Sequence, residues 1–220
     1  MLRAMRRLTL FLLLALPAAA DVPGWSVETV SGKPAAAFRL VEDGTIEAEA
    51  AGAVGFLIRE VPSTEGGFHL AWRWRIDAAP PPTDLSERRA DDRPLAVHVV
   101  FPPPPAKGLL ARAGRMMRDA MASELASSRT ITFVWGGLQP RGTRLRNPFR
   151  PEEGVLVVLR GPEAPLGAWE EETVDLAAEY HAAFGGAAPK PTHLSISSDT
   201  DDRGGLARGR VSPPRFVEGP

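Results

Sequence analysis

Residues Phe68–Asp77 read FHLAWRWRID, and after a polar, proline-rich gap Arg93–Phe101 reads RPLAVHVVF. With the period of a strand, Phe68, Leu70, Trp72, Trp74 and Ile76 fall on one face and His69, Ala71, Arg73, Arg75 and Asp77 on the other. A strand with two Trp on one side needs a packed partner sheet there, and its opposite side is left to meet solvent or ligand. In the second stretch Leu95, Val97, Val99 and Phe101 share a face while His98 points away, so it is expected to pair beside the Trp strand. The pattern predicts a mainly β fold, a two-layer antiparallel β-sandwich, jelly-roll-like, with one chemically interesting outer face.

The flanking sequence fits the same architecture. Trp25–Val30, Ala35–Val41, Thr45–Ala50 and Val54–Glu60 are short segments set apart by Gly32-Lys33-Pro34, Asp43-Gly44 and Gly52. The Asp-Gly pair signals a hairpin, and the four segments read as a β-meander. Pro80–Arg93 reads as a surface loop, because it is too polar and too rich in proline for a sheet. Lys107–Ser128 repeats Leu109, Leu110, Ala113, Met116, Met117, Ala120, Met121 and Leu125 at helical spacing, which predicts one inserted amphipathic helix capping the sandwich. The alternatives for that cationic, Met-rich stretch are a helix lying on a membrane surface or a surface for a protein partner. Arg129–Trp135 alternates as a strand, Val155–Arg160 is apolar on both faces, and Leu176–Phe184 is a short helix stopped by Gly185-Gly186. His193–Asp199 (HLSISSD) places Leu194 and Ile196 inward and His193, Ser195 and Ser197 outward. Asp199–Gly205 is a tight acidic loop, and Ala207–Val217 is a last extended piece.

Met1–Ala20 has the form of a secretory signal: Arg3, Arg6 and Arg7, the apolar run Leu8–Leu16, then Pro17-Ala18-Ala19-Ala20 before Asp21. The reading predicts cleavage after Ala20, a single β-sandwich domain over 21–220, and a periplasmic or secreted protein. The apolar run is too short for a transmembrane span, which needs about 20 residues. The whole chain carries 26 Lys and Arg against 27 Asp and Glu, and losing three Arg with the leader makes the remainder more acidic. That balance argues against a nucleic-acid partner. The chain has no cysteine, so disulfides, thiolate nucleophiles and Cys-ligated metals are excluded and the domain must stand on core burial. Its 22 prolines favour turns and short strands.

The chain has no G-x-S-x-G elbow, H-E-x-x-H pair, Walker loop or G-x-G-x-x-G turn, and its four histidines lack metal-ligand spacing. No catalytic residue is assigned. The outward face is the candidate ligand site, because separate strands supply Arg73 and Arg75, then His98, then His193, Ser195 and Ser197, a set of donors suited to carboxylated or hydroxyl-rich ligands. A solvated face with its Arg paired to carboxylates is the alternative. Asp91, Asp92, Asp199, Asp201 and Asp202 are candidate metal ligands, with calcium as the cation that hard oxygens suit. Arg203 and Arg210 stand where an EF-hand needs ligands, so the loop makes no complete local cage, and a turn-forming role competes. No other cofactor is implied. Three functions stay open: a non-catalytic exported module for a glycan or similar polar ligand of the cell envelope; a polysaccharide-acting enzyme with paired carboxylates from Asp91, Asp92, Glu171, Asp175 or Asp199; and an envelope scaffold holding a partner through 107–128.

The succession LAWRWRID, ADDRPLAVHVVF, SRTITFVWGG, RNPF, GAWEEETVDLAAEYHAAFG and SISSDTDD resembles a bacterial family catalogued as domain of unknown function 3047. The resemblance implies an exported β-sandwich similar to carbohydrate-binding modules, carbohydrate-binding-like in architecture and with no established activity. Arg93 and Asp202 depart from the family pattern, which has an aromatic and an Asn at those places.

Overall fold

The structure is a computed structural model that describes residues 22–105 and 127–219. The expected leader, Met1–Ala20, and all but the last two residues of the expected helix over 107–128 lie outside the described residues. Thirteen strands and one helix are described: β1 (Ser26–Thr29), β2 (Ala37–Leu40), β3 (Ile46–Ala51), β4 (Val54–Glu60), β5 (His69–Ala78), β6 (Arg93–Phe101), β7 (Arg129–Trp135), β8 (Arg144–Arg146), β9 (Gly154–Arg160), β10 (Glu170–Asp175), α1 (Leu176–Phe184), β11 (His193–Asp199), β12 (Leu206–Val211) and β13 (Arg215–Val217). They form a seven-stranded sheet in the order β1-β4-β11-β6-β7-β9-β8 and a six-stranded sheet in the order β10-β5-β12-β3-β2, with β13 also on β5. All pairs are antiparallel except β7 with β9. The helix α1 cannot span a membrane, and no described helix is long and apolar enough to do so.

The Trp strand is the centre of the core. Trp72 and Trp74 are buried on the inner face, 4% and 0% exposed, with Leu70 and Ile76 beside them. Trp72 lies 5.6 Å from Phe133, and Trp74 meets Trp135 edge to face at 5.6 Å, so aromatic contacts bridge the two sheets. Val97, Val99, Phe101, Ile131 and Ile196 supply the facing layer. β12 approaches β5 closely at Gly209, where a Cβ would stand 2.7 Å from the Arg75 carbonyl oxygen and 2.7 Å from Ile76 Cδ1, so only glycine fits at that irregularity of register.

Three expectations are corrected. The opening segments do not form a meander: β2 and β3 make the Asp-Gly hairpin of the six-stranded sheet, while β1 pairs with β4 in the other sheet. The chain changes sheets at Gly52, whose φ of 57° gives the sharp turn that separates β3 from β4. β6 does not pair with the Trp strand; it lies between β11 and β7 in the opposite sheet. The loop over 80–92 is more than surface, because Leu85 is fully buried and packs with Ala96, Val134, Leu156 and Val158 on the outer face of the seven-stranded sheet. That second small core explains why β9 and β7 are apolar on both faces.

Candidate functional site

Beside the patch covered by Leu85, the outer face of the seven-stranded sheet forms a cleft of about 630 Å³. Its floor comes from side chains that alternate outward on adjacent strands: Phe56 and Ile58 on β4, Ser195 on β11, His98 and Val100 on β6, Thr130 and Thr132 on β7. Antiparallel register sets Ser195 directly opposite His98, and His98 directly opposite Thr132. The His98 ring is fixed at both nitrogens, with Nδ1 3.0 Å from Thr132 Oγ1 and Nε2 2.8 Å from Ser197 Oγ. Burial, and next the Arg93 charge, push its pKa down to about 3, so the imidazole is neutral at physiological pH. A neutral ring has one N–H, so one of the two hydroxyls donates to it and the other accepts. Ser195 Oγ is different: the residue is 3% exposed and its hydroxyl has no hydrogen-bond partner. Phe149, 51% exposed, also lines the cleft, with the Arg88 guanidinium 5.7 Å from its ring centre.

One end of the cleft is acidic. The loop after β11 folds back on the start of β6, where Asp199 pairs in register with Arg93. Arg93 Nη1 is 3.0 Å from Asp91 Oδ2 and 3.5 Å from Asp199 Oδ2, while its buried Nε has no acceptor. Asp92 accepts backbone N–H bonds from Asp202 at 3.0 Å and Arg203 at 2.8 Å, so it clamps the loop. The Lys33 ammonium is paired with Asp201 and lies 3.9 Å from Asp202. Oxygens of Asp92, Asp201 and Asp202 lie within 4.8 Å of one another. Nitrogen cations from Lys33 and Arg93 stand among these carboxylates, and both oxygens of Asp92 already accept backbone donors. The five Asp of the expected metal set therefore come together, with their geometry accounted for in part by turn formation and ion pairing.

Crowding of these carboxyls shows in their titration. Burial, opposed by Arg93 and reinforced by the hydrogen bond with Asp201, pushes Asp199 up to about 8. Burial and the hydrogen bond with Asp91 push Asp202 up to about 6. For Asp201, burial acts upward, but hydrogen bonds from Asp199 and Lys33 leave it lowered. The folded protein thus holds protons on Asp199 and Asp202 that the unfolded chain has released above its carboxyl range near 4. That contribution to stability is fully present at low pH and is lost as pH rises through about 6 and then about 8. Asp199→Asn, which keeps the shape without the charge, is expected to flatten the decline of the melting temperature between pH 5 and pH 9 and to melt higher than the parent at pH 9. Parallel melting curves for the two proteins across that range would remove Asp199 as the cause.

The other expected site residues separate. His98, Ser195 and Ser197 lie together, but Ser197 is fully buried and hydrogen-bonded to His98 Nε2 rather than on the cleft wall. His193 is on β11 opposite Val100, bonded to Thr192 Oγ1 at 3.1 Å, and is not among the cleft residues. Arg73 and Arg75 do not converge with them. They lie on the outer face of the six-stranded sheet, across the core from the cleft, and their guanidinium carbons sit 4.7 Å and 5.4 Å from the ring centre of Trp169. The reason is sheet membership: alternation orients Arg73 correctly, but β5 and β6 belong to different sheets. Glu171 is exposed on β10, and Asp175 caps α1 by accepting from Ala177 N and Ala178 N. Neither reaches the cleft. Sequence reasoning passed over Arg93, Thr132, Asn147 and Phe149. Thr132 was the most accessible of these, since it alternates outward on β7; no spacing signal marks the others.

A family described as "Protein of unknown function (DUF3047)" matches residues 23–213. No curated protein matches the chain. Among solved structures, one described as addressing the promiscuous specificity of carbohydrate-binding modules from the beta-sandwich superfamily is 10% identical, with 90% of this chain and 58% of that chain covered and a TM-score of 0.45. This chain therefore spans less than two thirds of that protein. The xyloglucanase domain of NopAA, a type three effector from Sinorhizobium fredii in complex with cellobiose, is 6% identical, with 88% of this chain and 92% of that chain covered and a TM-score of 0.46.

Proposed function

This chain belongs to the DUF3047 family, and starting from the cleft on its seven-stranded sheet we propose that it is a non-catalytic exported module that binds a glycan or similar hydroxyl-rich ligand of the cell envelope. The observation that carries the reading is the Ser195 hydroxyl, buried on the cleft floor without a partner. A buried, unsatisfied hydroxyl costs about 1–3 kcal/mol, and a ligand hydroxyl placed against it recovers that cost on binding. Thr130, Thr132 and Asn147 offer further polar groups in the same cleft, while Phe56 and Phe149 offer apolar faces. Sugars present this same mixture, with C–H faces and O–H edges.

Binding is favoured over hydrolysis by the contacts of the carboxyls. Asp91 and Asp199 are both held by the Arg93 guanidinium, Asp201 by the Lys33 ammonium, and Asp92 by two backbone N–H groups. Glycosidase carboxyls stand about 5–9.5 Å apart to flank a scissile bond, whereas oxygens of Asp92, Asp201 and Asp202 lie within 4.8 Å of one another and leave no room for one. His98 is neutral and committed at both nitrogens, so it is not placed as a general base.

Binding of the full chain to an array of envelope glycans, followed by calorimetry on the hits, tests the reading. Ser195→Ala is expected to weaken binding about tenfold, and Ser195→Leu, which fills the floor, to abolish it. Arg73→Ala, on the opposite face, is expected to leave affinity unchanged. Absence of any glycan ligand, affinity indifferent to Ser195→Leu in a folded variant, or turnover of a polysaccharide would each overturn the proposal.

A further inference from the structure

The neighbours of the unpartnered hydroxyl on the cleft floor are set by strand register, and they restrict what can meet it. Ser195 of β11 stands directly opposite Ile58 of β4 on one side and His98 of β6 on the other. Side chains two residues apart on a strand share a face, so Phe56 and Val100, which also line the cleft, complete the surround. The rings of Phe56 and His98 reach toward each other over β11, with centres 5.7 Å apart, and close one side. Serine is the shortest of these side chains, so its hydroxyl lies at the bottom of a recess rimmed by Phe56, Ile58, His98 and Val100. Both nitrogens of His98 are engaged, by Thr132 and Ser197, so the ring offers the recess no further hydrogen bond. What the recess presents is one hydroxyl among carbon atoms.

We propose that the cleft recognises acetylated sugars, with the acetyl carbonyl accepting from Ser195 Oγ and the acetyl methyl packed against Phe56, Ile58 and Val100. The proposal rests on the glycan reading above and names the substituent that the same site selects. A ring hydroxyl is carried directly on the sugar, so it meets Ser195 only if the ring itself descends into the recess. An acetyl group satisfies Ser195 equally well and fits the recess better, because it projects beyond the ring. Its carbonyl oxygen needs only a donor, which the rotatable Ser195 O–H supplies. Its methyl gains from leaving water for the apolar rim, where a second hydroxyl would find no partner. An amide and an ester carry the same carbonyl and methyl, so N-acetyl and O-acetyl sugars are two sources of one recognised group.

The experiment measures binding of the full chain to two matched pairs of short oligomers by calorimetry. One pair is β-1,4-linked N-acetylglucosamine and its de-N-acetylated form; the other is partly O-acetylated cello-oligosaccharide and its unacetylated form. At least one acetylated member is expected to bind about tenfold or more tightly than its partner, and which one does so tells amide from ester. Ser195→Ala should erase that preference while leaving the unacetylated oligomers unchanged. This variant removes a buried hydroxyl that has no partner, so it is expected to melt no lower than the parent. An acetyl preference that survives intact in Ser195→Ala places the acetyl group elsewhere and overturns the proposal. Equal or tighter binding of the unacetylated oligomers, or array hits confined to glycans without acetyl groups, also overturns it and leaves the glycan reading in place. Binding of none of the oligomers, with no hit on the array, removes the glycan reading and the proposal together.

Discussion

Trp74→Ala is expected to cost about 3–5 kcal/mol, a large share of the 5–15 kcal/mol that holds an ordinary domain folded. Trp74 is fully buried, and its ring meets Trp72 at 5.5 Å and Trp135 at 5.6 Å, both edge to face. Truncation opens a cavity between the sheets at the point where the aromatic contacts bridge them. It also removes a donor, because Trp74 Nε1 gives its proton to Glu172 Oε1 at 3.1 Å. Phe substitutions separate the two effects. Trp72 is equally central, but its Nε1 has no acceptor. Trp74→Phe should therefore cost more than Trp72→Phe by about 1.5–3 kcal/mol, the worth of a hydrogen bond to a charged group. Urea midpoints at unchanged m-value report both differences. If the two Phe variants melt together, the bond to Glu172 contributes nothing and the whole effect belongs to packing.

The contrast between these two indoles shows what periodicity reveals and where it stops. Alternation within FHLAWRWRID places Trp72 and Trp74 on one face, and both are buried there. The same rule turns His98, Ser195 and Thr132 outward on their strands, and they meet. Alternation carries no information on sheet membership. β5 and β6 both read as apolar on one side and polar on the other, since in a sandwich each sheet turns its apolar face inward. Arg73 and His98 are thus both correctly called outward and yet lie on opposite sides of the molecule. Membership is fixed by pairings between distant segments, such as β10 on β5 and β11 on β6, which no local pattern encodes.

The loops show the same limit from another side. The acidic run after β11 is visible as a run, but its meeting with Asp91 and Asp92 depends on the β6 and β11 register that sets Asp199 opposite Arg93. Leu85 is a lone Leu in a polar stretch, and nothing local says that it is buried. Its partners are apolar residues on the outward positions of β7 and β9, so the clue lies in the unexplained double-sided hydrophobicity of GVLVVLR.

Arg160→Ala is expected to destabilise the fold by about 3–5 kcal/mol, because it strands a charge rather than because it removes an attraction. Glu172 is the most deeply buried carboxylate of β10, its side chain only 4% exposed. Arg160, itself 13% exposed, donates from Nε to Glu172 Oε1 at 2.6 Å and from Nη1 to Glu170 Oε2 at 2.8 Å. Without it, Glu172 keeps Trp74 Nε1 and the longer contact with Arg141 at 3.7 Å, which is too little for a buried ion. Arg160→Met with Glu172→Gln leaves no isolated charge, fills similar volume, and keeps an acceptor for Trp74. The double variant should therefore recover most of the loss. In a double-mutant cycle the coupling is expected to exceed about 2 kcal/mol, well above the value of an exposed ion pair. Additive losses in that cycle would mean that water reaches Glu172 and that the ion pair behaves as a surface one. Recovery in the double variant identifies desolvation of Glu172 as the force that makes Arg160 indispensable at the β9 to β10 edge.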